Sequence, residues 1–225
     1  LATLSLILNP ETLWDENIGL YQNQYKQREI PVAIQSFSSE LNHEFSISAG
    51  LRLGGENIWT KPQKPFTIYT RNRFGADYLQ YQIFENKSIS NFSRVVFRNG
   101  GDDWEEALLR DAMTESIVSD RMACGIMAYR PARLFLNGSY WGIYNIREKF
   151  DKTYFVENFN VDLNYLIHLE YANTSSGVEL LEIEGSRGDY DLMIDSIQNN
   201  DNSQYVAYEQ LSNWINLDSF IDHLI

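Results

Sequence analysis

Apolar and polar residues alternate over much of the first 100 positions, with the two-residue period of half-buried β-strands. The clearest run, 45–53, ends at Gly54 and Gly55. Its odd-numbered positions are all apolar: Phe45, Ile47, Ala49, Leu51 and Leu53. Shorter runs predict strands at 3–8, 30–37, 66–70, 78–84 and 94–98. Within the last of these, residues 95–97 are apolar without a break, which predicts burial on both faces.

A β-hairpin is predicted around Asn137-Gly138. Residues 133–136 lead into this dipeptide and residues 140–144 lead out, and both runs are rich in apolar and aromatic side chains. Asn-Gly between such runs is the strongest short-range hairpin signal, because both turn residues must adopt positive φ. Charged residues follow the second strand, among them Arg147 and Glu148.

One long helix is predicted between these strand regions, from about Trp104 to about Arg121. Asp103 and Glu106 have the spacing of a capping box, and Glu106 with Arg110 forms a favourable pair four residues apart. The predicted inward stripe contains Leu108, Leu109, Ala112, Met113, Ser116 and Ile117.

The last third of the chain is mostly helical in pattern. Pro10 predicts a short helical turn near the start of the chain, but most helices fall later. A short helix at 151–158 and a strand at 165–169 precede a loop at 173–177, and helical periodicity then follows at 189–198, 204–215 and 216–225. Because strands and helices are segregated along the chain, the pattern indicates an α+β fold.

Composition and charge exclude several classes of protein. The 225 residues are 44% hydrophobic, which is typical of a globular chain, and no apolar run is long enough to span a bilayer. Cys124 is the only cysteine and the three histidines lack ligand spacing, which argues against a zinc site. Residues 151–225 carry a net charge of −12 out of −13 in total. We expect no nucleic-acid partner there; the acids form either a solvated surface or a face for a cationic partner.

Three segments carry candidate chemistry. The stretch 52–73 holds five cations and one acid, and Gly54-Gly55 followed by Lys64 has the composition of a phosphate cradle, although a solvated basic rim is the commoner outcome. It contains no Walker-type loop. Arg110-Asp111 in the long helix is the second candidate and Glu148 the third. The alternative for Arg110-Asp111 is that the two charges pair with Glu106 and Glu115 on the protein surface. The alternative for Glu148 is that it lies in water at the end of a strand. No Ser-His-Asp arrangement is assignable, and nothing singles out a carboxylate pair for glycoside hydrolysis.

Residues 51–71, 97–113 and 130–151 together resemble the CotH family, named for the spore coat protein H kinases. They read LRLGGENIWTKPQKPFTIYTR, FRNGGDDWEEALLRDAM and RPARLFLNGSYWGIYNIREKFD. The resemblance implies an atypical protein-kinase-like fold: a mainly antiparallel β N-terminal lobe with one long helix, followed by the start of a helical lobe. It also implies ATP with Mg or Mn as cofactors and phosphorylation of serine on coat or surface proteins.

The resemblance also assigns roles to particular residues. Gly54 and Gly55 match the family's glycine turn, and Lys64 matches the lysine expected near the phosphates. Arg110 and Asp111 match the helix pair, and Glu148 matches the acid after the hairpin. The acid that orients Lys64 is Glu115 or Glu148, and the sequence does not choose between them. Asn57 and Ile58 stand where the family often has a serine.

From the same resemblance we expect a bacterial, extracytoplasmic protein, secreted or held at the spore or cell surface. The expected organisation is an N-terminal extension (1–29), a kinase-like N-lobe (30–172) and an incomplete helical C-lobe (173–225). The family's catalytic and metal-binding aspartates would lie past residue 225, so this stretch alone would be inactive. The alternative is a non-catalytic surface or spore-coat scaffold with a kinase-like fold.

Overall fold

A computed structural model describes residues 1–55, 61–119, 121–174, 177–199, 209 and 211–225. The chain divides into two compact units. The first consists of Leu1–Ser116 with Met127–Tyr154, and the second of Ile117–Ile126 with Phe155–Ile225. The mainly antiparallel sheet and the few helices confirm the α+β prediction.

In the first unit, seven of the described strands close into a barrel. They are β1 (Ala2–Ile7), β2 (Ile30–Phe37), β3 (His43–Leu53), β4 (Phe66–Tyr69), β7 (Arg94–Arg98), β8 (Tyr129–Leu136) and β9 (Ser139–Arg147). Their order around the barrel is β1-β2-β3-β4-β7-β9-β8. Neighbours pair antiparallel except β1 and β8, which pair parallel and close the barrel. β1 comes from the stretch that the sequence suggests is an N-terminal extension. A separate pair, β5 (Leu79–Gln80) and β6 (Asn91–Phe92), falls between β4 and β7 in sequence.

The barrel interior is filled by the alternating apolar positions of its strands. Among the side chains with almost no exposed surface are Leu4, Leu6, Ile34, Leu51, Phe66, Ile68, Phe97 and Tyr144. Alternation confirms the predicted inward face of β3, where Ala49, Leu51 and Leu53 are buried. Burial on both faces of β7 was the wrong expectation: Val95 and Phe97 are buried, but Val96 lies on the opposite face and is half-buried. The predicted strand at 78–84 is limited to the two residues of β5.

The predicted hairpin is confirmed, with Leu136 pairing with Ser139 across the turn. Asn137 and Gly138 have φ of 50° and 82°, as a two-residue turn of this kind requires. Asn137 also ties the turn to β1, because its Oδ1 accepts a hydrogen bond from Leu8 N at 2.9 Å. The turn is therefore held by both the local backbone and a neighbouring strand.

The helix expected to begin at Trp104 begins later and is shorter. A 3₁₀ turn (Gly101–Asp103) and a run of turns come first, and α2 spans Arg110–Val118. Asp103 still serves the helix start, since its carboxylate accepts hydrogen bonds from Leu109 N at 3.0 Å and Arg110 N at 2.9 Å. These bonds lower the pKa of Asp103, the one from Arg110 N contributing most. Leu108 adopts φ of 67°, and this left-handed residue separates the turns from the helix.

The face of α2 that points inward also differs from the prediction. Of the predicted stripe, Ala112 is fully buried, whereas Leu109, Met113 and Ile117 are exposed. The exposed pair Glu106–Arg110 does form, with Arg110 Nη2 3.1 Å from Glu106 Oε2.

Two short helices follow β1 and β9 in sequence. α1 (Glu11–Trp14) follows Pro10, as the sequence predicts. α3 (Lys152–Phe159) follows β9 and matches the short helix predicted at 151–158.

The second unit contains a β-hairpin and helices. β10 (His168–Thr174) pairs with β11 (Gly177–Glu184). The sequence predicts a strand at 165–169 and a loop at 173–177, so β10 begins and ends later than predicted. α4 (Gly188–Asn199) and α5 (Leu217–Leu224) agree with two of the predicted helices. Asn216 caps α5 by accepting a hydrogen bond from Ser219 N at 3.1 Å. Most of the helix predicted at 204–215 lies outside the described residues.

Candidate functional site

The glycine turn and Lys64 are adjacent at one end of β3 and β4. Gly54 N donates to Pro65 O at 2.9 Å, which brings the end of β3 against the residue that follows Lys64. A Cβ on Gly54 would lie 2.9 Å from Thr67 Oγ1, and Gly55 has φ of 73°. Both positions therefore favour glycine, one because of close packing and the other because of its backbone conformation. Lys64 lies just before β4, not on it.

Lys64 is a nearly buried cation, with 6% of its surface exposed. Its Nζ donates to Lys61 O at 3.1 Å and lies 5.3 Å from the centre of the Tyr21 ring. Burial lowers the pKa of the Lys64 ammonium because it disfavours the charged form. A buried ammonium near a glycine turn is suited to an anionic ligand.

An aromatic cluster stands beside Lys64. The rings of Trp14 and Tyr21 are 4.5 Å apart, and Trp141 lies 5.7 Å from Trp14. Trp141 Nε1 donates to Tyr21 Oη at 3.1 Å. Burial raises the pKa of Tyr21 to about 12, so the phenol stays neutral and offers Lys64 its ring face rather than an oxyanion.

α2 is held on the outer face of the barrel by charged side chains. Asp111 Oδ2 lies 2.6 Å from Arg98 Nε and 3.5 Å from Arg147 Nη1. Glu115 Oε1 accepts from Arg147 Nη2 at 2.5 Å, and its Oε2 accepts from Met127 N at 2.7 Å. Arg147 itself is 1% exposed, so the carboxylates of α2 meet a buried cation of the barrel. Of the predicted pair Arg110-Asp111, Asp111 points toward the barrel and Arg110 is exposed.

Glu148 is buried at the far end of β9. Its Oε2 accepts from Ala128 N at 2.8 Å and lies 2.5 Å from Lys87 Nζ. The position directly after β9 thus holds a buried ion pair.

Strand register separates the predicted site residues into groups. Phe66 pairs with Phe97, and Phe97 pairs with Ile146, so β4 and β9 run in the same direction on either side of β7. Lys64 precedes this row by two residues and Glu148 follows it by two, which separates them by about 13 Å along the strands at ~3.3 Å per residue. Gly54, Gly55 and Lys64 form one group, Asp111 and Glu115 a second, and Glu148 a third. The acid that orients Lys64 stays a prediction.

The sequence interpretation missed Arg147, Arg98 and Tyr21 as members of these groups. Arg147 follows Ile146 in an alternating strand, so the sequence places its side chain on the face opposite Ile146. Only the packing of α2 shows that this face is buried. Tyr21 carries no sequence signal, because it lies in an irregular segment more than 40 positions before Lys64.

The nucleotide and the metal ion differ in how well the described residues fit them. The chemistry of a phosphate suits Gly55, which has no side chain and a φ of 73°, and the nearly buried Lys64 ammonium nearby. For a metal, no group of three or more His, Cys, Asp or Glu side chains with ligand geometry occurs in the part of the chain that is described. We therefore assign no metal ligand to these residues.

The fold and this site define an α+β protein with a barrel, a helix whose acids pair with arginines of the barrel, one of them buried, and a candidate phosphate site at the end of the barrel. Residues 51–225 match the family model described as CotH kinase protein. The match covers well over half of the chain, so the chain belongs to the CotH kinase family. A comparison with curated proteins found no match.

Family membership makes this a kinase-like protein and implies, in general terms, the use of a nucleotide and a metal ion and a protein as substrate. The family's association with the spore coat fits a surface location. None of the helices described combines the length and the hydropathy needed to cross a bilayer.

Proposed function

We propose that this protein functions in ATP-dependent phosphorylation of serine on coat or surface proteins. The observation that carries the proposal is a nearly buried Lys64 beside the Gly54-Gly55 turn, within the residues that match the kinase family. In this proposal the backbone at Gly55 and the Lys64 ammonium bind the nucleotide phosphates, while Gly54 N stays bonded to Pro65 O. ATP supplies the phosphoryl group that is transferred.

Burial prepares Lys64 for this role. The folded protein has removed most of the water from the ammonium, and its lowered pKa records the cost of that desolvation. A bound phosphate brings negative charge close to the ammonium and raises the pKa again. In this proposal Asp111 and Glu115 do not contact the nucleotide. Their contacts with Arg98 and Arg147 hold α2 in place.

Nucleotide binding tests the proposal directly. We expect Lys64→Ala to abolish binding of ATP with Mg²⁺ or Mn²⁺, measured by titration calorimetry. Lys61→Ala is the matched control, since it removes the same charge at a position three residues from Lys64. The Lys61 side chain pairs with Glu105 at 2.7 Å. Near-ultraviolet circular dichroism of the Trp14–Trp141 cluster checks the fold of both variants. Equal ATP affinity of both variants and the wild type would contradict the assignment of Lys64.

The pH dependence gives a second readout. Because the pKa of Lys64 is lowered, the free protein loses this cation at a lower pH than an ordinary lysine would, and ATP affinity should fall as pH rises through that pKa. Lys64→Arg keeps its charge throughout and should show a flatter profile. A fall of the same size in both proteins would assign the pH dependence to another group.

Phosphoryl transfer separates this function from the alternative. The complete gene product and this chain are each incubated with labelled ATP, Mg²⁺ or Mn²⁺ and a serine-containing acceptor. Labelled phosphoserine with the complete product supports a kinase. ATP binding without transfer from either protein supports a non-catalytic surface or spore-coat scaffold instead.

A further inference from the structure

Three arginine side chains surround one tyrosine ring on the outer face of the barrel. The guanidinium carbons of Arg52, Arg71 and Arg94 lie 4.8, 5.1 and 4.7 Å from the centre of the Tyr69 ring. Strand pairing explains the convergence, because Tyr69 is paired with Arg94 on β7 and Arg52 lies on the other neighbour, β3. Arg73 belongs to the same group through a shared carboxylate. We call these four residues the arginine cluster.

One buried carboxylate organises the arginine cluster. Glu29, whose side chain is 4% exposed, lies 2.9 Å from Arg52, 3.1 Å from Arg71 and 2.5 Å from Arg73. Gly50 makes room for it, since a Cβ there would lie 2.7 Å from Glu29 Oε1. Glu29 is therefore a positioning residue, because one buried carboxylate holds three guanidinium groups together.

The cluster has more positive charge than its acids neutralise. Among the residues that the structure describes, four arginines face two carboxylates, Glu29 and Asp151, and Asp151 approaches Arg94 only to 3.7 Å. This excess of two positive charges stands in a chain of net charge −13. Like charges held this close repel one another, and a doubly charged anion would remove that repulsion.

Hydrogen-bond donors remain for such an anion. Glu29 Oε1 is bound by Arg71 Nε and Arg73 Nη2, so the contacts to described residues leave both terminal nitrogens of Arg71 unused. Arg94 Nε is buried and faces Asp151 at 3.7 Å, so Arg94 contributes its charge to the site rather than an accessible Nε donor. The side chains of Arg71 and Arg73 are 43% and 59% exposed, so their donors reach solvent.

The backbone presents these donors in a defined geometry. Arg71 and Arg73 belong to a tight loop in which a 3₁₀ turn (Asn72–Phe74) and a bridge between Arg71 and Ala76 fix the chain.

The arginine cluster is separate from the nucleotide site. Tyr69 is five residues from Lys64, which places the cluster about 16 Å from the nucleotide site along β4. The five cations that the sequence groups in one stretch thus belong to two separate places.

We propose that the arginine cluster binds a phosphate monoester, and specifically phosphoserine on a protein. A planar guanidinium group can donate two parallel hydrogen bonds to two oxygens of one phosphate. Clusters of arginines recognise phosphorylated peptides in this way. The choice of phosphoserine over other phosphate esters rests on the proposed function, which makes phosphoserine the product of this protein. The site retains a phosphorylated chain near the nucleotide site without taking part in transfer.

Fluorescence anisotropy with a labelled glycine- and alanine-rich peptide that contains one phosphoserine tests the proposal. We expect binding of this peptide, no binding of its unphosphorylated form, and a decrease with added salt. Arg71→Gln should weaken binding about tenfold, as the loss of a charge-assisted hydrogen bond does, and Arg71→Gln with Arg94→Gln should abolish it. Arg187→Gln is the matched control, because it removes an exposed arginine of the second unit.

Three outcomes of the peptide titrations overturn the proposal. They are equal binding of the two peptides, equal binding by the folded double variant and the wild type, and absence of binding at millimolar peptide. Binding of inorganic phosphate without binding of the peptide would also overturn it, by identifying a site for the free ion.

Parallel measurements distinguish failure here from failure of the proposed function. Lys64→Ala should keep phosphopeptide binding, and the double arginine variant should keep ATP binding. If ATP displaces the peptide and both variants lose both ligands, one nucleotide site accounts for the data and the second site is refuted.

Discussion

Replacing one member of the Arg147–Glu115 ion pair, in which the arginine is buried, should have an effect that depends strongly on which member is replaced. Arg147 is 1% exposed, whereas the side chain of Glu115 is 25% exposed. Without Arg147, Glu115 can be hydrated and keeps its hydrogen bond from Met127 N. Without the Glu115 charge, Arg147 stays buried with Asp111 at 3.5 Å, an acid that Arg98 already binds at 2.6 Å.

The expected magnitudes follow from this asymmetry. Leaving one buried charge uncompensated costs about 3–5 kcal/mol, and the remaining Asp111 puts Glu115→Gln at the lower end, about 3 kcal/mol. Arg147→Met keeps the side-chain volume and removes the buried charge, so we expect a loss of only about 1 kcal/mol. The double variant should resemble Arg147→Met, because the glutamine introduced on α2 then faces no buried cation. The coupling free energy is therefore about 3 kcal/mol.

Thermal and urea unfolding, followed by near-ultraviolet circular dichroism of the Trp14–Trp141 cluster, report on the barrel unit. A change of 1 kcal/mol moves Tm by about 2–4 °C in a chain of this size, so Glu115→Gln should lower Tm by about 6–12 °C and Arg147→Met by about 2–4 °C. If Arg147→Met proved the more damaging change, or if the two effects were additive, the buried-charge reasoning would be wrong.

Three further predictions concern stability. Asp103→Asn should lower the unfolding midpoint at pH 7 and have little effect at low pH. The reason is that Asp103 has a lowered pKa, so its contribution is present above its ordinary pKa of 3.8 and is lost as pH falls through the folded value; a pH-independent loss would contradict this. Gly54→Ala should destabilise the barrel through contact with Thr67, and Thr67→Ala should relieve part of that loss in the double variant, as urea titration will show. Asn137→Ala should cost about 1–3 kcal/mol, because Leu8 N loses its acceptor and alanine disfavours positive φ; Asn137→Asp, which keeps the acceptor, should cost less.

The predictions that succeeded depend on neighbours in sequence. The strand at 30–37 has the bounds predicted, because Ile30, Val32 and Ile34 alternate as inward-facing residues. The hairpin at Asn137-Gly138 is correct because two residues that tolerate positive φ lie between runs of strand-forming residues. The helix at Arg110 was placed too early, since the Asp103 carboxylate reaches past several turn residues to cap α2.

The candidate site was predicted less completely, because its residues meet through strand register. The segments that resemble the CotH family identified the glycine turn and Lys64, which lie close together in sequence. They did not reveal Tyr21 beside Lys64, because that contact joins distant parts of the chain. They also did not show that Glu115 contacts Arg147, since periodicity locates an apolar stripe without showing which face of a helix is buried.

The sequence by itself determined the β-strands of the barrel, the tight turn between β8 and β9, the α+β class and the family, all of which follow from local conformational preference and short motifs. Only the tertiary structure decided how the barrel closes and which charges meet. Parallel pairing of β1 with β8 joins segments about 130 residues apart, and no local pattern encodes such a contact. The five cations of one stretch likewise lie in two places: Lys61 and Lys64 precede β4, whereas Arg52, Arg71 and Arg73 meet Glu29 near its other end, because the length of β4 separates the two groups.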